Sequence, residues 1–171
     1  EEARKRGIGV VAMKAMAGAK KMELKPKNES FPHAAFKWVL KNPNVAGLIA
    51  SINNTKDLLH YVEASGKPFT SKSQAVLKRY ELAYSREYCR TGCGECLKSC
   101  PENVDIAGVL RQWMYFADYG VEKRAMENYA RMEPKADQCF NCSDAPCQAA
   151  CPYELPVAKL LRNAHEELTF L

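Results

Sequence analysis

The pattern of apolar and polar positions changes period several times over the first 70 residues. Residues 1–6 are polar and basic and read as the end of a helix, which Gly7 breaks. Ile8 to Met13 is a short apolar, β-branched run, the pattern of a buried parallel strand. Lys14 to Ser30 is a loop rich in Gly and Lys. Pro32 opens a helix with Ala35, Phe36, Val39 and Leu40 at core spacing, and Asn42-Pro43-Asn44 ends it. Val45 to Ile52 is a second apolar strand. Asn54 or Thr55 caps a helix from Lys56 to Ala64, which Gly66 to Pro68 closes. Helix end, strand, helix, strand, helix is the logic of βαβ units and a parallel sheet. Two strands alone leave both sheet edges bare. Upstream sequence or another chain is therefore expected to complete the sheet.

From Ser71 to Ser85 the pattern predicts a linking helix, with Val76, Tyr80 and Ala83 on one stripe. Beyond it no strand signal appears in residues 101–135, which reads as a helical domain, and the pattern repeats with a shift of 51 residues. Pro101 falls on Pro152, Ala107 on Ala158, Leu110 on Leu161 and Arg111 on Arg162. Each half ends in an amphipathic helix, striped by Ile106, Val109, Leu110 and Trp113 in one and by Val157, Leu161, Ala164 and Leu168 in the other. A further helix between them aligns Val121, Ala125, Tyr129 and Met132. The division expected is residues 1–70, a linking helix at 71–86, and a helical domain at 87–171.

All eight cysteines lie in that repeat, in two runs that each end in Cys-Pro. The first holds Cys89, Cys93, Cys96 and Cys100, and the second Cys139, Cys142, Cys147 and Cys151. Four closely spaced thiolates with a final Cys-Pro suit a [4Fe-4S] cluster, because each iron takes one thiolate. In two-cluster ferredoxins the last cysteine of a run serves the other cluster. The expected sets are Cys89, Cys93, Cys96 and Cys151, and Cys139, Cys142, Cys147 and Cys100; the uncrossed sets are the alternative. Both runs have a longer gap than the simple spacing, which leaves open a site that lacks one iron. Two structural zincs and disulfides compete with this reading. The Cys-Pro endings favour clusters, and a bend of two residues between cysteines is hard to bridge. Tyr88, Phe140 and Tyr153 flank ligands and are expected to shield them. His33, His60 and His165 lack metal-ligand spacing and read as surface or core residues.

Charge divides the chain as sharply as periodicity does. Residues 1–80 carry fifteen Lys/Arg and six Asp/Glu, and residues 81–171 carry ten and fourteen. The basic half suits an anionic ligand such as a dinucleotide, and the acidic half a basic redox partner; solvated surface is the bland alternative. No run approaches a membrane span, no signal peptide is visible, and nothing points to nucleic acid. The cytoplasm is the expected compartment. Because the chain opens in mid-pattern without Met, it is expected to be the C-terminal piece of something longer, with any export signal upstream.

The stretches GIGVVAMKAMAGA and AAFKWVLKNPNVAGLIASINNTKDLLHYV resemble the end of an aldo/keto reductase barrel. The cysteine domain resembles the two-cluster extension of iron–sulfur members of that family. The resemblance implies the last quarter of a (β/α)8 barrel followed by a helical ferredoxin-type domain, in α/β plus all-α classes. The family's catalytic Asp, Tyr, Lys and His lie on earlier strands, so none is carried onto this chain. The last two strands of relatives supply part of a nicotinamide dinucleotide site. That places Met13 and Lys14 at the end of the seventh strand, and Ser51, Asn53 and Asn54 after the eighth, where the next helix adds its dipole. Relatives that use NADPH place a Lys and an Arg in this loop; the matching residues here are Ser51 and Asp57, with Lys56 the nearby cation. NADPH, NADH and no dinucleotide all stay open.

Two functions follow. In the first, an oxidoreductase couples the barrel and NAD(P)H to two [4Fe-4S] clusters, because a hydride carries two electrons and each cluster takes one. In the second, the chain is an electron-transfer module or subunit without its own catalytic site, which passes electrons to a redox partner. A structural, metal-stabilised subunit is a third reading.

Overall fold

The computed structural model describes residues 1–16, 29–52, 54–90 and 92–169. They form a mostly helical structure with one small sheet, in two compact units, Glu1–Ala83 and Tyr84–Leu171.

In the N-terminal unit a short helix, α1 (Glu2–Lys5), ends at Gly7, whose φ of 69° suits a residue without Cβ. Strand β1 (Val11–Met13) pairs in parallel with β2 (Gly47–Ile49), in the register Val11 to Gly47, Ala12 to Leu48 and Met13 to Ile49. Between them runs α2 (Phe31–Leu40). Its N-cap is Ser30, whose hydroxyl accepts from the His33 N–H at 3.3 Å. Asn54 caps α3 (Thr55–Val62), accepting from the Asp57 N–H at 2.9 Å. The helix foreseen from Ser71 forms as α4 (Ser71–Tyr84), and Tyr80 stacks on Phe31 with ring centroids 4.2 Å apart. Ala34, Ala35, Phe36, Ala64 and Tyr80 make the buried core of this unit.

The strands differ from expectation in length and burial. Each has three residues, and Val11, Met13 and Ile49 are 54%, 69% and 60% exposed. A buried parallel strand needs a neighbour on both edges and helices on both faces. Among the described residues each strand has one neighbour, so pairing stops early and the apolar side chains stay in water. Most of the predicted loop, residues 17–28, lies outside the described residues.

The C-terminal unit contains no strand among its described residues, as its pattern foretold. It holds a 3-10 turn at Leu97–Ser99, then α5 (Ile106–Ala117) and α6 (Glu122–Ala130). A second 3-10 turn at Ala136–Phe140 leads to α7 (Pro146–Ala149) and α8 (Val157–Leu168). Helices α5, α6 and α8 pack on one another around Ile106, Val109, Leu110, Ala125, Tyr129, Leu161, Ala164 and Leu168. Each large apolar side chain fully buried there contributes about 1.5–3 kcal/mol.

The 51-residue repeat is copied into backbone detail. Cys100 N–H donates to Leu97 O, and Cys151 N–H to Gln148 O. Asn103 N–H then donates to Cys100 O, and Glu154 N–H to Cys151 O. Asn103 and Glu154 take the left-handed conformation, at φ 54° and 53°. Val104 and Leu155 follow, both buried, and each carbonyl accepts at 2.8 Å from the residue two further on, Ile106 or Val157. Both Cys-Pro segments are thus the same turn, delivering the chain into a core helix. The copies differ at the caps. Asp105 accepts from the Gly108 N–H at 2.9 Å, whereas Pro156 before α8 makes no side-chain cap.

That cap makes Gly108 sensitive. Alanine is normally better than glycine inside a helix by about 1 kcal/mol. Here a Cβ would lie 2.2 Å from Asp105 Oδ2 and 3.0 Å from Met132 Cε. The carboxylate can retreat only by giving up the cap, a loss of about 1 kcal/mol. Gly108→Ala is therefore predicted to forfeit the usual gain of about 1 kcal/mol, because loss of the cap offsets it, and urea denaturation should show a midpoint no higher than that of wild type.

Candidate functional site

The eight cysteines sit on short turns and on helix entries. Cys89 and Cys93 lie in the loop that follows α4, and Cys96 and Cys100 bracket the turn Leu97–Ser99. Cys139 lies on the turn Ala136–Phe140, Cys142 just after it, and Cys147 on α7, after which comes Cys151. All eight are free thiols. Cys96, Cys139 and Cys147 are buried and the other five half-buried.

The fold gathers them in two groups that do not follow the runs. Cys100 lines a small apolar cavity together with Cys139, Cys142 and Cys147, against Val104, Pro146 and Leu161. On the other side, Cys89 lies in electrostatic reach of Cys93 and Cys151, and Cys96 in reach of Cys89 and Cys151. Each run's last cysteine therefore stands among the cysteines of the other run.

Burial and the repulsion of neighbouring thiolates disfavour ionisation of Cys89, Cys96, Cys139 and Cys147. Burial, then the charges of Cys89 and Cys151, push Cys96 up to about 11. Burial, then Cys100, Cys147 and Cys142, push Cys139 up to about 11. Cys89 and Cys147 are raised too, first by burial and then by neighbouring thiolates. Arginines oppose this: Arg111 and Arg90 at Cys89, and Arg162 at Cys139. Arg111 and Arg162 are partners in the 51-residue repeat, so each copy supplies a guanidinium from its core helix to the first cysteine of a run. Arg162 also donates to the Cys139 carbonyl at 3.3 Å.

Other contacts tie the cysteine segments down. The Arg90 guanidinium lies between the Tyr88 and Tyr153 rings, 4.7 and 4.9 Å from their centroids, and donates to the Tyr88 hydroxyl. It links the chain before Cys89 to the chain after Cys151. Arg86 pairs with Glu154 across the same two segments, but both are exposed, so that pair contributes little. Tyr129, 1% exposed, accepts from the Ala136 N–H at 3.0 Å, and its hydroxyl also shares a hydrogen bond of 2.7 Å with His165 Nδ1. The chain of bonds fixes the start of the turn that carries Cys139. Trp113 Nε1–H donates to Glu167 at 2.8 Å and joins α5 to α8.

Phe140 and Tyr153 are 47% and 39% exposed, and the buried side chains beside the second group of thiols are aliphatic. His165 is a hydrogen-bond partner of Tyr129 and meets Phe140 edge-on at 5.8 Å. His33 and His60 meet across α2 and α3, with ring centroids 4.2 Å apart. Periodicity put Tyr129 on the core stripe, but nothing local marks the distant N–H that its hydroxyl satisfies.

The residues expected to hold a dinucleotide all belong to the N-terminal unit. Met13 and Lys14 stand at the end of β1, both exposed, Lys14 at a left-handed φ of 55°. Ser51 is exposed shortly after β2. Asn54 is committed to capping: besides accepting from Asp57 N–H, it donates to Asp57 Oδ2 at 3.0 Å. Asn53 lies outside the described residues.

An iron–sulfur cluster is the group this donor set implies, and the residues fit it. Thiolates are soft ligands. Four of them beside an apolar wall, with Cys139 and Cys147 raised by burial and by their neighbours, form a site whose repulsion a cationic iron core relieves. Loading must release the protons that burial retains.

Residues 81–152, which include all eight cysteines, match the family model of the 4Fe-4S dicluster domain. Comparison with curated proteins and with solved structures gave no match. The match supports iron–sulfur electron transfer for this region. Among the described residues no helix is long and apolar enough to cross a membrane.

Tyr129→Phe removes one oxygen and leaves the Ala136 N–H unpaired in the core. The predicted loss is about 1–3 kcal/mol. Equilibrium denaturation of the cluster-loaded variant measures it, and iron should leave the loaded protein faster than from wild type.

Proposed function

We propose that the C-terminal unit holds two [4Fe-4S] clusters, one on Cys89, Cys93, Cys96 and Cys151, the other on Cys139, Cys142, Cys147 and Cys100. The observation that carries this reading is the exchange of last cysteines, which puts Cys100 beside Cys139, Cys142 and Cys147. When bound, each cluster supplies a one-electron couple. The chain's own residues set its surroundings. Arg90, Arg111 and Arg162 place positive charge at the first cysteine of each run, which favours the thiolate and the more reduced, more negative state. Val104, Pro146 and Leu161 keep water from one side of the second site.

In the same reading, the N-terminal unit is the last part of an aldo/keto reductase-type barrel that uses a nicotinamide dinucleotide. Support comes from its parallel β1–β2 pair with α2 between and α3 after, and from the exposed apolar residues on both strands. Met13, Lys14, Ser51, Asn53 and Asn54 then border the dinucleotide, in a reducing compartment such as the cytoplasm. Electrons pass from hydride to clusters and on to a redox partner.

The test has two stages. Anaerobically purified protein should contain about eight irons and eight sulfides per chain and show two coupled paramagnetic centres after reduction. About four irons would restrict the reading to one cluster, and colourless zinc protein would end it. Cys89→Ala should then leave one cluster. Adding Cys151→Ser to that variant should leave the surviving spectrum unchanged, whereas adding Cys100→Ser should alter it; the reverse result identifies uncrossed ligation. NADH or NADPH bleaching the clusters of the intact protein supports the coupled oxidoreductase, and reduction only by dithionite and a partner protein supports the electron-transfer module.

A further inference from the structure

The second concentration of metal-ligating groups lies in the N-terminal unit, away from every cysteine. His33 stands in the first turn of α2, His60 in the last turn of α3, and Glu63 is the C-cap of α3. A ring nitrogen of each histidine and a carboxylate oxygen of Glu63 all lie within 4.8 Å of one another. Both histidines are half-buried and Glu63 is exposed, so an ion can enter from solvent.

We propose that His33, His60 and Glu63 bind one divalent transition ion of the zinc type, independently of the cysteine sites. Two imidazoles and a carboxylate are a ligand set zinc accepts, with a fourth position left for water. The histidines are also held as metal ligands usually are, each by a hydrogen bond to one ring nitrogen. His33 Nε2–H donates to the His60 carbonyl. A carbonyl only accepts, so the His33 proton is on Nε2 and the Nδ1 lone pair is available. His60 Nε2 is engaged by the Ser30 hydroxyl at 2.9 Å, and that hydroxyl is already oriented by accepting from the His33 N–H. Ser30 therefore aligns one ligand through its backbone and the other through its ring.

Two electrostatic features favour a cation here. His60 and Glu63 are three residues apart and share a face at the C-terminal end of α3, where the helix dipole is negative. Lys37, the basic residue in the last turn of α2, is held by Glu29 at 2.5 Å, which neutralises the cation on that helix. The separation of up to 4.8 Å exceeds the edge of about 3.3 Å that zinc–nitrogen bonds of about 2.05 Å impose on a tetrahedron. Binding must therefore draw the stacked rings out of parallel and pull α2 and α3 together.

The experiment uses the intact chain with its clusters assembled. It is dialysed anaerobically against zinc chloride, and zinc and iron are measured together. The expected result is about one zinc per chain with no loss of iron, and an X-ray absorption first shell of nitrogen and oxygen near 2.0–2.1 Å. His33→Ala with His60→Ala should abolish this zinc. Ser30→Ala, which leaves all three ligands in place, should weaken it about ten-fold. No zinc above background, a sulfur shell at about 2.3 Å, iron lost as zinc is gained, or zinc retained by the histidine variant would each overturn the proposal. The absorption spectrum of wild-type protein keeps the test decisive if the double variant fails to fold.

Discussion

Four thiols gathered against an apolar wall repel one another as soon as they ionise. Burial adds to that repulsion, and together they push Cys139 up to about 11, as burial with Cys89 and Cys151 does Cys96 in the other group. The C-terminal unit exists to hold this unfavourable arrangement together. Its helices supply the means: a core of Ile106, Val109, Leu161 and Leu168 fixes α5 and α8, and their N-terminal ends fix the Cys-Pro turns. Without a metal the gathered thiols oppose folding, and with one they favour it, so metal binding and folding are linked through the same residues.

The internal repeat explains how so short a unit makes two such sites. One turn, from the last cysteine through a left-handed residue to a buried aliphatic, is built twice with matching hydrogen bonds. In this fold each run's last cysteine stands among cysteines of the other run, while each copy's arginine lies by its own run. Each gathered group thus draws on both copies, which ties the two Cys-Pro segments to each other.

The features the chain shows most openly are those that depend on local order. Cysteine spacing, the repeat and the helices α2, α3, α4, α5, α6 and α8 could all be read from periodicity and caps. Strand burial could not, because it depends on neighbours rather than on the strand: Ile8 to Met13 has the composition of an interior strand, yet Val11 and Met13 face water beside a single partner. The left-handed Glu154 carries no local sign, being an ordinary glutamate, but aligning it with Asn103 through the repeat reveals the shared turn. His33 and His60 are 27 residues apart with no spacing rule between them, and only the packing of α2 on α3 joins them. Tyr129 shows how apolar periodicity places a ring but says nothing of its hydroxyl.

The two units differ in how far each satisfies itself. The cysteine unit buries Ile106, Val109 and Leu110 of α5, Ala125 and Tyr129 of α6, and Leu161, Ala164 and Leu168 of α8, and gathers its thiol groups from its own residues. The N-terminal unit leaves Ile8, Val11, Met13, Ile49 and Ile52 in water and leaves sheet edges unpaired among its described residues. A parallel sheet gains most of its stability from burial on both faces, and among the described residues this sheet lacks that burial. The match to the 4Fe-4S dicluster domain falls almost wholly on the unit that satisfies itself. A ligand that joins α2 to α3 acts on the weaker partner of that division. It fastens helices that flank an incomplete sheet, where the core of Ala34, Ala35 and Phe36 is small and each added constraint is a larger share of the whole.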